Sequence, residues 1–563
     1  MKTIRLALAQ INTTIGDLKG NSEKIITYIK DARNAEVDIV AFPELAVTGF
    51  HPEGLLSMPD FIDRNINYIK SITKETADIT AIVGFVDRQK HFLFNAAAVI
   101  HDKKLICTYH KRSLNSHLLN EPSYFCKGKG NKIFELKGIT FAVNIGEDCL
   151  TDNIIKSQAA EHVEFIINIS AFPFFLDKDI NMSILKKTAQ SGMGISITNH
   201  VGGQNELVFI GHSLIADNNG NLVLEADAFK ESLMQIDLNC DSFLNKRSLK
   251  AGKKPHSIIL LPCINGRKNK VVTPIPIHSK APLSTIEMLF GALRLGLRDY
   301  VRKNGFSKVA VGLSGGIDCS LVASLAVSAF GHDNVTGISM PSKYTSHESM
   351  EDAELLAHNL KINILTIPII HPFESFTNLF DILFSGMPSD TTEENLQSRI
   401  RGIILMSISN KFGWLVLNTG NKSEANTGYC TLYGDSVGGF ATIKNVPKHL
   451  VYNLSKHFNK ISGLEIIPHR VFEKEPTAEL RPNQKDSDSL PPYNILDPIL
   501  EAYLYENKSV SEISATGSFD EALVVNTIKM VHRSEYKRQQ CPLGIRLLEK
   551  EHRFPIISKL DWL

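Results

Sequence analysis

Residues 308–330 read KVAVGLSGGIDCSLVASLAVSAF, and this stretch decides the fold. The apolar run Val309–Leu313 predicts a β-strand that breaks at Ser314-Gly315-Gly316, and the apolar, alanine-rich run that follows predicts a helix. Backbone N–H groups of a glycine turn at a helix N-terminus form a binding site for phosphate. Asp318 lies where a Mg²⁺ ion bound to that phosphate would need a carboxylate. The stretch therefore predicts a strand–turn–helix unit that binds a phosphate-bearing ligand.

The turn is not a Walker loop, because it lacks the GKS or GKT ending. SGGIDCS, residues 314–320, instead resembles the SGGxDS loop of ATP pyrophosphatases, which split ATP into AMP and pyrophosphate while activating a carbonyl oxygen. Cys319 stands where that family often has serine, and Ser320 keeps a hydroxyl within reach. By this resemblance, the residues expected to bind ATP are Gly312, Leu313, Ser314, Gly315, Gly316, Ile317, Asp318, Cys319 and Ser320.

Composition limits the class of protein. A chain of 563 residues is too long for one core and predicts two domains. Lys and Arg total 61 against 60 Asp and Glu, so the net charge of +1 gives no reason to expect nucleic acid or a membrane surface as partner. No apolar stretch is long enough to span a bilayer, and the N-terminus reads as a first strand rather than a signal peptide. The eight cysteines form no CxxC or zinc pattern, which favours reduced thiols in a cytoplasmic enzyme.

Strand-like and helix-like runs alternate along both halves, which predicts two α/β domains. We place the first domain at residues 1–265, a basic and proline-rich linker at 266–282, and a doubly wound second domain at 283–563. In the first half the predicted elements are strands at 4–11, 37–44, 79–86, 94–100, 140–145 and 163–170 and a helix at 21–35. In the second half they are a helix at 284–303 and strands at 309–313, 335–340, 362–369 and 414–419. The polar loop 472–493 is long for a plain connection, so we expect it to have a functional role.

Further blocks in the second half carry a specific resemblance. Thr419, Gly420 and Asn421 follow a predicted strand, where loops of open α/β sheets bind ligands. The blocks are EENLQSRIRG (393–402), LNTGNKSE (417–424), YGDSVGG (433–439), AELRPNQKDSDSLPPY (478–493) and SEYKRQQ (534–540). They resemble the signature blocks of NAD synthetase, and the first half is similar to the nitrilase-like glutaminase domain fused to that enzyme. The resemblance implies a nitrilase-like α-β-β-α sandwich followed by a Rossmann-like ATP pyrophosphatase domain of the adenine nucleotide α-hydrolase kind.

The resemblance also implies a reaction. ATP adenylates the nicotinate carboxylate of nicotinic acid adenine dinucleotide (deamido-NAD) and releases pyrophosphate, and ammonia then displaces AMP to give NAD. By family resemblance Thr419 contacts ATP, and Asp318 and Glu424 serve Mg²⁺. Asn395, Glu424 and Lys537 are implied to lie around deamido-NAD. Because enzymes of this family are homo-oligomers with ammonia tunnels, we expect a homo-oligomer here.

Family glutaminases use Glu, Lys and Cys: the thiolate attacks the glutamine amide, Glu is the general base and Lys stabilises the oxyanion. By resemblance, Glu44 in AFPELAVTGF matches the base and Lys111 in YHKRSL matches the lysine. Glu121 matches a second acidic residue of the same site.

The cysteine of this set is replaced. The family block reads I-C-E-D-x-W, whereas residues 145–150 read IGEDCL, so Gly146 takes the cysteine position and Leu150 the tryptophan position. Cys149 is three residues further on, roughly 10 Å along an extended chain. Phe172 stands where a serine would help hold glutamine, and His117 where the lysine loop commonly has tyrosine. We therefore predict an ammonia-dependent synthetase whose glutaminase-like domain is inactive.

Three alternatives stay open. One is a synthetase that still uses glutamine through Cys149 or another thiol, and a second is a pseudoenzyme that holds a nucleotide without turnover. The third is another ATP pyrophosphatase, such as an asparagine or GMP synthetase or a tRNA-thiolating enzyme. The balanced charge disfavours tRNA, and the block RPNQKDSDSLPPY (481–493) favours NAD synthetase over all of these.

Overall fold

The structure, a computed structural model, describes residues 3–115, 120–239, 258–263, 282–550 and 553–557. It contains two compact units, Met1–Gln204 with Val208–Pro282, and Asn205–Leu207 with Leu283–Leu563. The predicted linker 266–282 lies outside the described residues except for Pro282, and so does His117. The predicted domain boundaries therefore stay a prediction.

The first unit is built on two sheets. Its strands are β1 (Thr3–Gln10), β2 (Ile39–Ala41), β3 (Thr80–Gln89), β4 (Phe92–His101), β5 (Lys104–His110), β6 (Ile133–Leu136), β7 (Ile139–Ile145), β8 (Phe165–Ser170), β9 (Gly194–Asn199), β10 (Val201–Gln204), β11 (Leu207–Ile210), β12 (Leu214–Ala216), β13 (Leu222–Glu225), β14 (Ser232–Asn239) and β15 (Ile258–Leu260). Within the described ranges, one sheet has the order β14-β1-β2-β3-β4-β5 and the other β13-β12-β9-β8-β7-β6-β15, while β10 and β11 pair separately. The helices are α1 (Leu18–Asn34), α2 (Pro59–Glu75), α3 (Asp152–Ala160) and α4 (Ile180–Ser191).

Alternation along the strands explains the layers. Leu6 and Leu8 of β1 enter a core shared with Val143 of β7, so the two sheets face each other. Ala7 and Ala9, on the opposite face of β1, enter a second core with residues of α1 and α2. A third core joins the outer face of the second sheet to α3 and α4. The predicted α-β-β-α sandwich is confirmed.

Several predicted boundaries differ from the structure; the strand predicted at 362–369, for example, spans only Asn363–Thr366. Two of the differences have clear local reasons. The strand predicted at 37–44 spans only Ile39–Ala41, and the chain begins to turn at Glu44, just after Pro43, which has no N–H for a ladder. Helix α1 begins before the predicted residue 21, because the Asp17 carboxylate caps it by accepting the Gly20 N–H at 2.8 Å.

The strands also bring the predicted first-unit residues together. Strand β2 is parallel to β3, and β5 lies two antiparallel pairings away from β3, so β2 and β5 point the same way. Glu44 and Lys111 therefore follow strands that end at the same edge of one sheet. Gly146 follows β7 of the facing sheet.

The second unit is a doubly wound sheet, as predicted. Its strands are β16 (Val309–Gly312), β17 (Val335–Ser339), β18 (Asn363–Thr366), β19 (Leu415–Asn418) and β20 (Phe440–Ala441). All of these strands pair in parallel, in the order β18-β17-β16-β19-β20. The chain order reverses between β16 and β19, and open α/β sheets bind ligands outside the carboxyl ends of strands at such a point.

Helices surround this sheet. They are α5 (Thr285–Lys303), α6 (Ile317–Phe330), α7 (His347–Leu360), α8 (Ile370–Phe380), α9 (Thr391–Phe412), α10 (Lys422–Thr427), α11 (Lys448–Ser462), α12 (His469–Glu473), α13 (Tyr493–Leu504), α14 (Val510–Ser514), α15 (Glu521–Arg533) and α16 (Glu535–Arg538). A capping box of Ser284 and Glu287 starts α5 where the sequence predicts it. Among the described residues, no helix has the length and apolarity that crossing a bilayer requires.

Candidate functional sites

The second unit has a cavity of about 310 Å³ at the switch point of its sheet. Loops that follow β16 and β19 form its wall, together with part of the long loop 472–493. The predicted residues that line it are Gly312, Leu313, Ser314, Gly315, Gly316, Ile317, Asp318, Cys319, Thr419 and Glu424. The cavity therefore gathers most of the residues that the sequence assigns to ATP and metal.

The turn after β16 has the geometry of a phosphate loop. Gly315 has φ +77°, and a Cβ there would lie 2.3 Å from the Ser349 carbonyl oxygen, so only glycine fits. Gly316 is the N-cap of α6, and the first N–H groups of that helix have no acceptor within it. An anion at this end of the cavity would receive those donors and the positive end of the helix dipole.

Side chains behind the turn hold its shape. The Cys319 thiol donates to the Gly316 carbonyl at 3.1 Å and accepts the Ser314 N–H at 3.4 Å. The Ser320 hydroxyl, which the sequence places within reach of the ligand, donates to the same Gly316 carbonyl at 2.8 Å, and Ser320 is 1% exposed. Ser320 therefore supports the turn from behind.

Asp318 lies in a cluster of charges. Its carboxylate accepts from Asn421 Nδ2 at 2.9 Å and pairs with Lys448 Nζ at 2.5 Å. Lys448 also lies 3.7 Å from Glu424, and its side chain is only 2% exposed. Sequence reasoning missed Lys448, because a single lysine at the start of a helix carries no pattern that distinguishes it from a surface charge.

Burial controls the protonation of this cluster. Burial, followed by the charge of Asp318, raises the pKa of Glu424 to about 8. Burial alone would lower the pKa of Lys448, but the carboxylates of Asp318 and Glu424 raise it above its usual value. Lys448 is therefore a fixed cation, and Glu424 exchanges its proton near neutral pH.

Two further cations lie at the cavity. Lys474, in the long polar loop, bonds the Ser349 hydroxyl and lies 3.3 Å from Glu479. Arg401 of α9 donates from Nε to the Met340 carbonyl at 3.1 Å, and burial lowers its pKa to about 10. The length and polarity of the loop signalled a functional role without indicating which residue carries it.

Asn395 and Lys537 lie behind one wall of the cavity. Asn395 Oδ1 accepts from the Thr431 hydroxyl at 2.6 Å. Lys537 Nζ donates to the carbonyls of Gly428 and Cys430 at 2.8 and 2.7 Å. Both side chains thus hold the segment 428–431, and their assignment to deamido-NAD stays a prediction.

In the first unit, Glu44 and Lys111 form the centre of a buried charge cluster. Lys111 Nζ lies 2.8 Å from Glu44, 2.9 Å from Glu121 and 2.8 Å from Glu147. Asn95 Nδ2 donates to Glu44 at 2.6 Å and to Glu121 at 3.0 Å. The sequence named three of these residues and missed Asn95 and Glu147.

Gly146 faces this cluster. A Cβ built on it would lie 2.8 Å from Lys111 Nζ and 2.9 Å from Glu44 Oε2. Its φ of +53° lies in the left-handed region, which costs a side-chain-bearing residue energy. A side chain at position 146 would thus point between an acid and a lysine, and the structure has only hydrogen there.

Burial and the neighbouring charges shift the pKa values of Glu44 and Lys111. Burial first, and then the charges of Glu121 and Glu147, raise the pKa of Glu44 to about 8 against the opposing effect of Lys111. The three carboxylates raise the pKa of Lys111 well above its usual value, although burial opposes this. Lys111 is thus charged, and burial favours the protonated form of Glu44.

Cys149 points away from this cluster. Its thiol donates to the Gly146 carbonyl at 3.3 Å, and its side chain packs in the apolar core that contains Phe172 and Ile155. Burial raises the pKa of this thiol well above its usual value. Phe172 is 7% exposed and fills the same core. Neither the direction nor the protonation of Cys149 suits a nucleophile.

Comparisons with known proteins agree with this two-part architecture. The sequence profile of NAD synthase matches residues 289–541, and that of carbon-nitrogen hydrolase matches residues 5–243. Proteins named glutamine-dependent NAD(+) synthetase from Thermotoga maritima and Aquifex aeolicus are 40% and 41% identical, each over 99% of both chains. A solved glutamine-dependent NAD+ synthetase from Acinetobacter baumannii, in complex with ADP, is 35% identical with a TM-score of 0.76, over 99% of this chain and 98% of that one.

Proposed function

Because this chain belongs to the family of NAD synthetases with a fused nitrilase-like domain, we propose that it amidates deamido-NAD with free ammonia. As a NAD synthetase it is an ATP-dependent carbon–nitrogen ligase. The proposal concerns the nitrogen donor and the residues that serve each step. The observation that carries it is Gly146, whose missing side chain leaves no nucleophile between Glu44 and Lys111.

The second unit would perform the chemistry. A carboxylate is a poor electrophile, and converting it to a mixed anhydride with AMP gives ammonia a good leaving group to displace. The protein's contribution is then mostly positioning and charge neutralisation. We assign the phosphates of ATP to the turn Ser314–Gly316 and the start of α6, with Lys448 and Lys474 adding positive charge from other sides of the cavity. Thr419, at the end of β19, would contact ATP from the neighbouring strand.

We propose that the cavity binds a magnesium ion held jointly with ATP. The charge of Asp318 raises the pKa of the neighbouring Glu424, and both side chains line the cavity. The described residues contain no group of three carboxylate, histidine or cysteine side chains that could hold a metal alone. Mg²⁺ is usually bound by one or two carboxylates together with substrate phosphates, and it would neutralise phosphate charge. We assign this role to Asp318 and Glu424, while Asn421 orients the Asp318 carboxylate.

Deamido-NAD would lie against the wall formed by segment 428–431. Glu424 would contact it directly, and Asn395 and Lys537 would hold that wall in position.

We also propose a homo-oligomer, because α8, α9 and the segment between them expose large apolar side chains. These are Leu379, Ile382, Leu383, Met387 and Ile403, with exposures of 70%, 94%, 68%, 68% and 57%. Free thiols at every described cysteine support a reducing compartment such as the cytoplasm.

The geometry around Gly146 supports the proposed loss of glutamine use. Amide hydrolysis at this kind of site needs a thiolate within hydrogen-bond reach of its base. Cys149 is turned into an apolar core and bonded to the Gly146 carbonyl. Glu44 and Lys111 remain, but there is no thiol between them for Glu44 to deprotonate.

The test is a donor comparison on the purified full-length chain. NAD formation would be measured with ATP, Mg²⁺ and deamido-NAD, using either ammonium or glutamine freed of ammonium, and glutamate release would be followed in parallel. We expect turnover with ammonium and no glutamate release. Glutamine that supports NAD formation as well as ammonium does, with matching glutamate, would overturn the proposal.

Two controls separate the alternatives. If Cys149 hydrolyses glutamine, Cys149→Ala would abolish glutamate release. If a different thiol does so, Cys149→Ala would leave glutamate release unchanged. If the chain only binds nucleotides, deamido-NAD and ATP would give no Mg²⁺-dependent pyrophosphate. Pyrophosphate release with ammonium-dependent NAD formation excludes the pseudoenzyme.

A further inference from the structure

Two cysteines from distant parts of the second unit meet at the nucleotide cavity. Cys430 lies shortly after α10, and Cys541 lies shortly after α16. Both are half-buried free thiols, and both line the cavity. The adenylation chemistry assigned above uses neither of them.

The two segments are tied together on both sides of the thiols. Lys537 Nζ donates to the Cys430 carbonyl at 2.7 Å, and the Cys541 thiol lies 3.4 Å from the Lys537 carbonyl. The Tyr433 hydroxyl donates to Gln540 Oε1 at 2.9 Å. Between these contacts the Cys430 and Cys541 side chains are near enough that each thiol shifts the pKa of the other. These contacts therefore hold together the two segments that carry the thiols.

The pair is also chemically unequal. The hydrogen bond from Cys430 lowers the pKa of Cys541 to about 7, and the nearby Lys444 ammonium acts in the same direction against burial. The same hydrogen bond raises the pKa of Cys430. A thiol near neutral pKa that is open to a cavity is the one that oxidants attack, and a second thiol beside it can resolve the product.

We propose that Cys430 and Cys541 are a redox site, and that their reversible disulfide turns NAD synthesis off when peroxide is present. The Cys541 thiolate attacks one peroxide oxygen, an S–O bond forms, the O–O bond breaks, and water leaves with the thiol proton. The Cys430 sulfur then attacks this sulfenic acid, the S–S bond forms, and a second water carries away the hydroxyl and the remaining proton. Two thiols and one hydrogen peroxide thus give one disulfide and two waters.

The disulfide would act on the wall of the cavity. Bonded sulfurs lie about 2 Å apart, much closer than two thiols that are not bonded. Segment 428–431 and the segment after α16 must therefore move toward each other when the disulfide forms. Thr431, next to Cys430, donates its N–H to Asp435 at 2.6 Å, and Asp435 lines the cavity. A shift of about 1 Å in positioning residues can reduce a rate by about 10²-fold.

The experiment uses the reduced full-length chain titrated with hydrogen peroxide. Remaining thiols would be alkylated, peptides would be mapped by mass spectrometry, and NAD formation would be measured with the nitrogen donor that supports turnover. We expect a 430–541 disulfide to appear in step with a rate loss of at least about tenfold, and dithiothreitol to reverse both. Mapping on the wild-type chain decides the matter even if a variant folds poorly.

Variants sharpen the result, each judged against its own reduced rate. Cys430→Ser and Cys541→Ser would lose reversible inhibition, whereas Cys107→Ser, in the first unit, would keep it. The proposal is overturned if no 430–541 disulfide forms, or if it forms while the rate is unchanged. Inhibition that persists in both serine variants and disappears in Cys319→Ser would also overturn it, because the phosphate loop would then be the sensitive site.

Discussion

Each unit buries a lysine among carboxylates, and the two clusters are electrostatically alike. Lys111 and Lys448 both have raised pKa values because of neighbouring carboxylates, and the pKa of Glu44 and of Glu424 is raised to about 8 by burial. The difference is in what surrounds them. Lys448 and Glu424 line a cavity of about 310 Å³, whereas Glu44 and Lys111 close around a glycine. A buried ion cluster becomes an active site only when it has both access and a reacting atom.

Breaking the cavity cluster should have the largest effect. Asp318→Asn removes the charge that pairs with Lys448 and a proposed metal ligand, so we expect NAD formation with ammonium to fall about 10²- to 10³-fold. Initial rates at saturating substrates check this. The control is Asp333→Asn in the same unit, where the side chain is 87% exposed. A rate for Asp318→Asn equal to that of the control would remove Asp318 from the mechanism.

Restoring a thiol should make the two clusters more alike. Gly146→Cys would place sulfur beside Glu44 and Lys111, provided that Lys111 Nζ and Glu44 Oε2, at 2.8 and 2.9 Å from the Cβ position, shift to admit it. We expect glutamine hydrolysis above the parent background by about 10²-fold, which is the smaller end of what a positioned acid–base group supplies.

The matched control is Gly146→Ala, which adds the Cβ without sulfur. The left-handed φ at this position should cost either variant about 1–3 kcal/mol of stability. The prediction would be contradicted if the alanine variant released glutamate, or if a folded cysteine variant released none. Either result would mean that a thiol at position 146 is not what glutamine hydrolysis needs.

The pH dependence of stability should reveal the closed cluster. The folded-state pKa of Glu44, about 8, lies above its ordinary 4.5, so its contribution to the unfolding free energy is full below pH 4.5 and is lost as pH rises through 8. Glu44→Gln removes this loss, so its stability relative to wild type should rise by about 1–3 kcal/mol from pH 5 to pH 8. Thermal unfolding at both pH values measures it. The exposed Glu53→Gln is the control, and a parallel response of both variants would contradict the burial of this charge.

The smallest effect is expected at Cys149. Cys149→Ala removes a buried sulfur from the core that holds Phe172, and should lower the unfolding free energy by about 1 kcal/mol. The rate with ammonium should not change, and glutamate release should stay absent. Chemical unfolding and the donor assay check both statements, and glutamate release by the parent chain that disappears in Cys149→Ala would identify Cys149 as a nucleophile.

Much of the fold was predictable because its determinants are local. The turn at 314–316 lies between a strand-like run and a helix-like run, and the central strands β16 and β19 are largely apolar runs that fit burial on both faces. Strand β2 was overestimated because periodicity does not register the turn that follows Pro43. Boundaries depend on caps and turns, which a smooth apolar pattern does not record.

The sites were predictable to a smaller extent. Asp318 and Glu424 lie within short motifs that the sequence reveals. Lys448 and Asn95 are isolated polar residues, and only the tertiary fold brings them to their clusters. The contact between Cys430 and Cys541 likewise joins positions that no spacing rule connects. The direction of Cys149 depends on one turn after β7, which the sequence left undetermined.

The left-handed glycine after β7 has a consequence for heredity. Some glycine codons become cysteine codons by a single base change, and Glu44 and Lys111 still stand on either side of position 146. A single mutation, Gly146→Cys, would thus be enough to turn an ammonia-dependent enzyme into one that uses glutamine, because the residues around position 146 are still present. Growth for many generations with glutamine and little ammonium would select for that Gly146→Cys change.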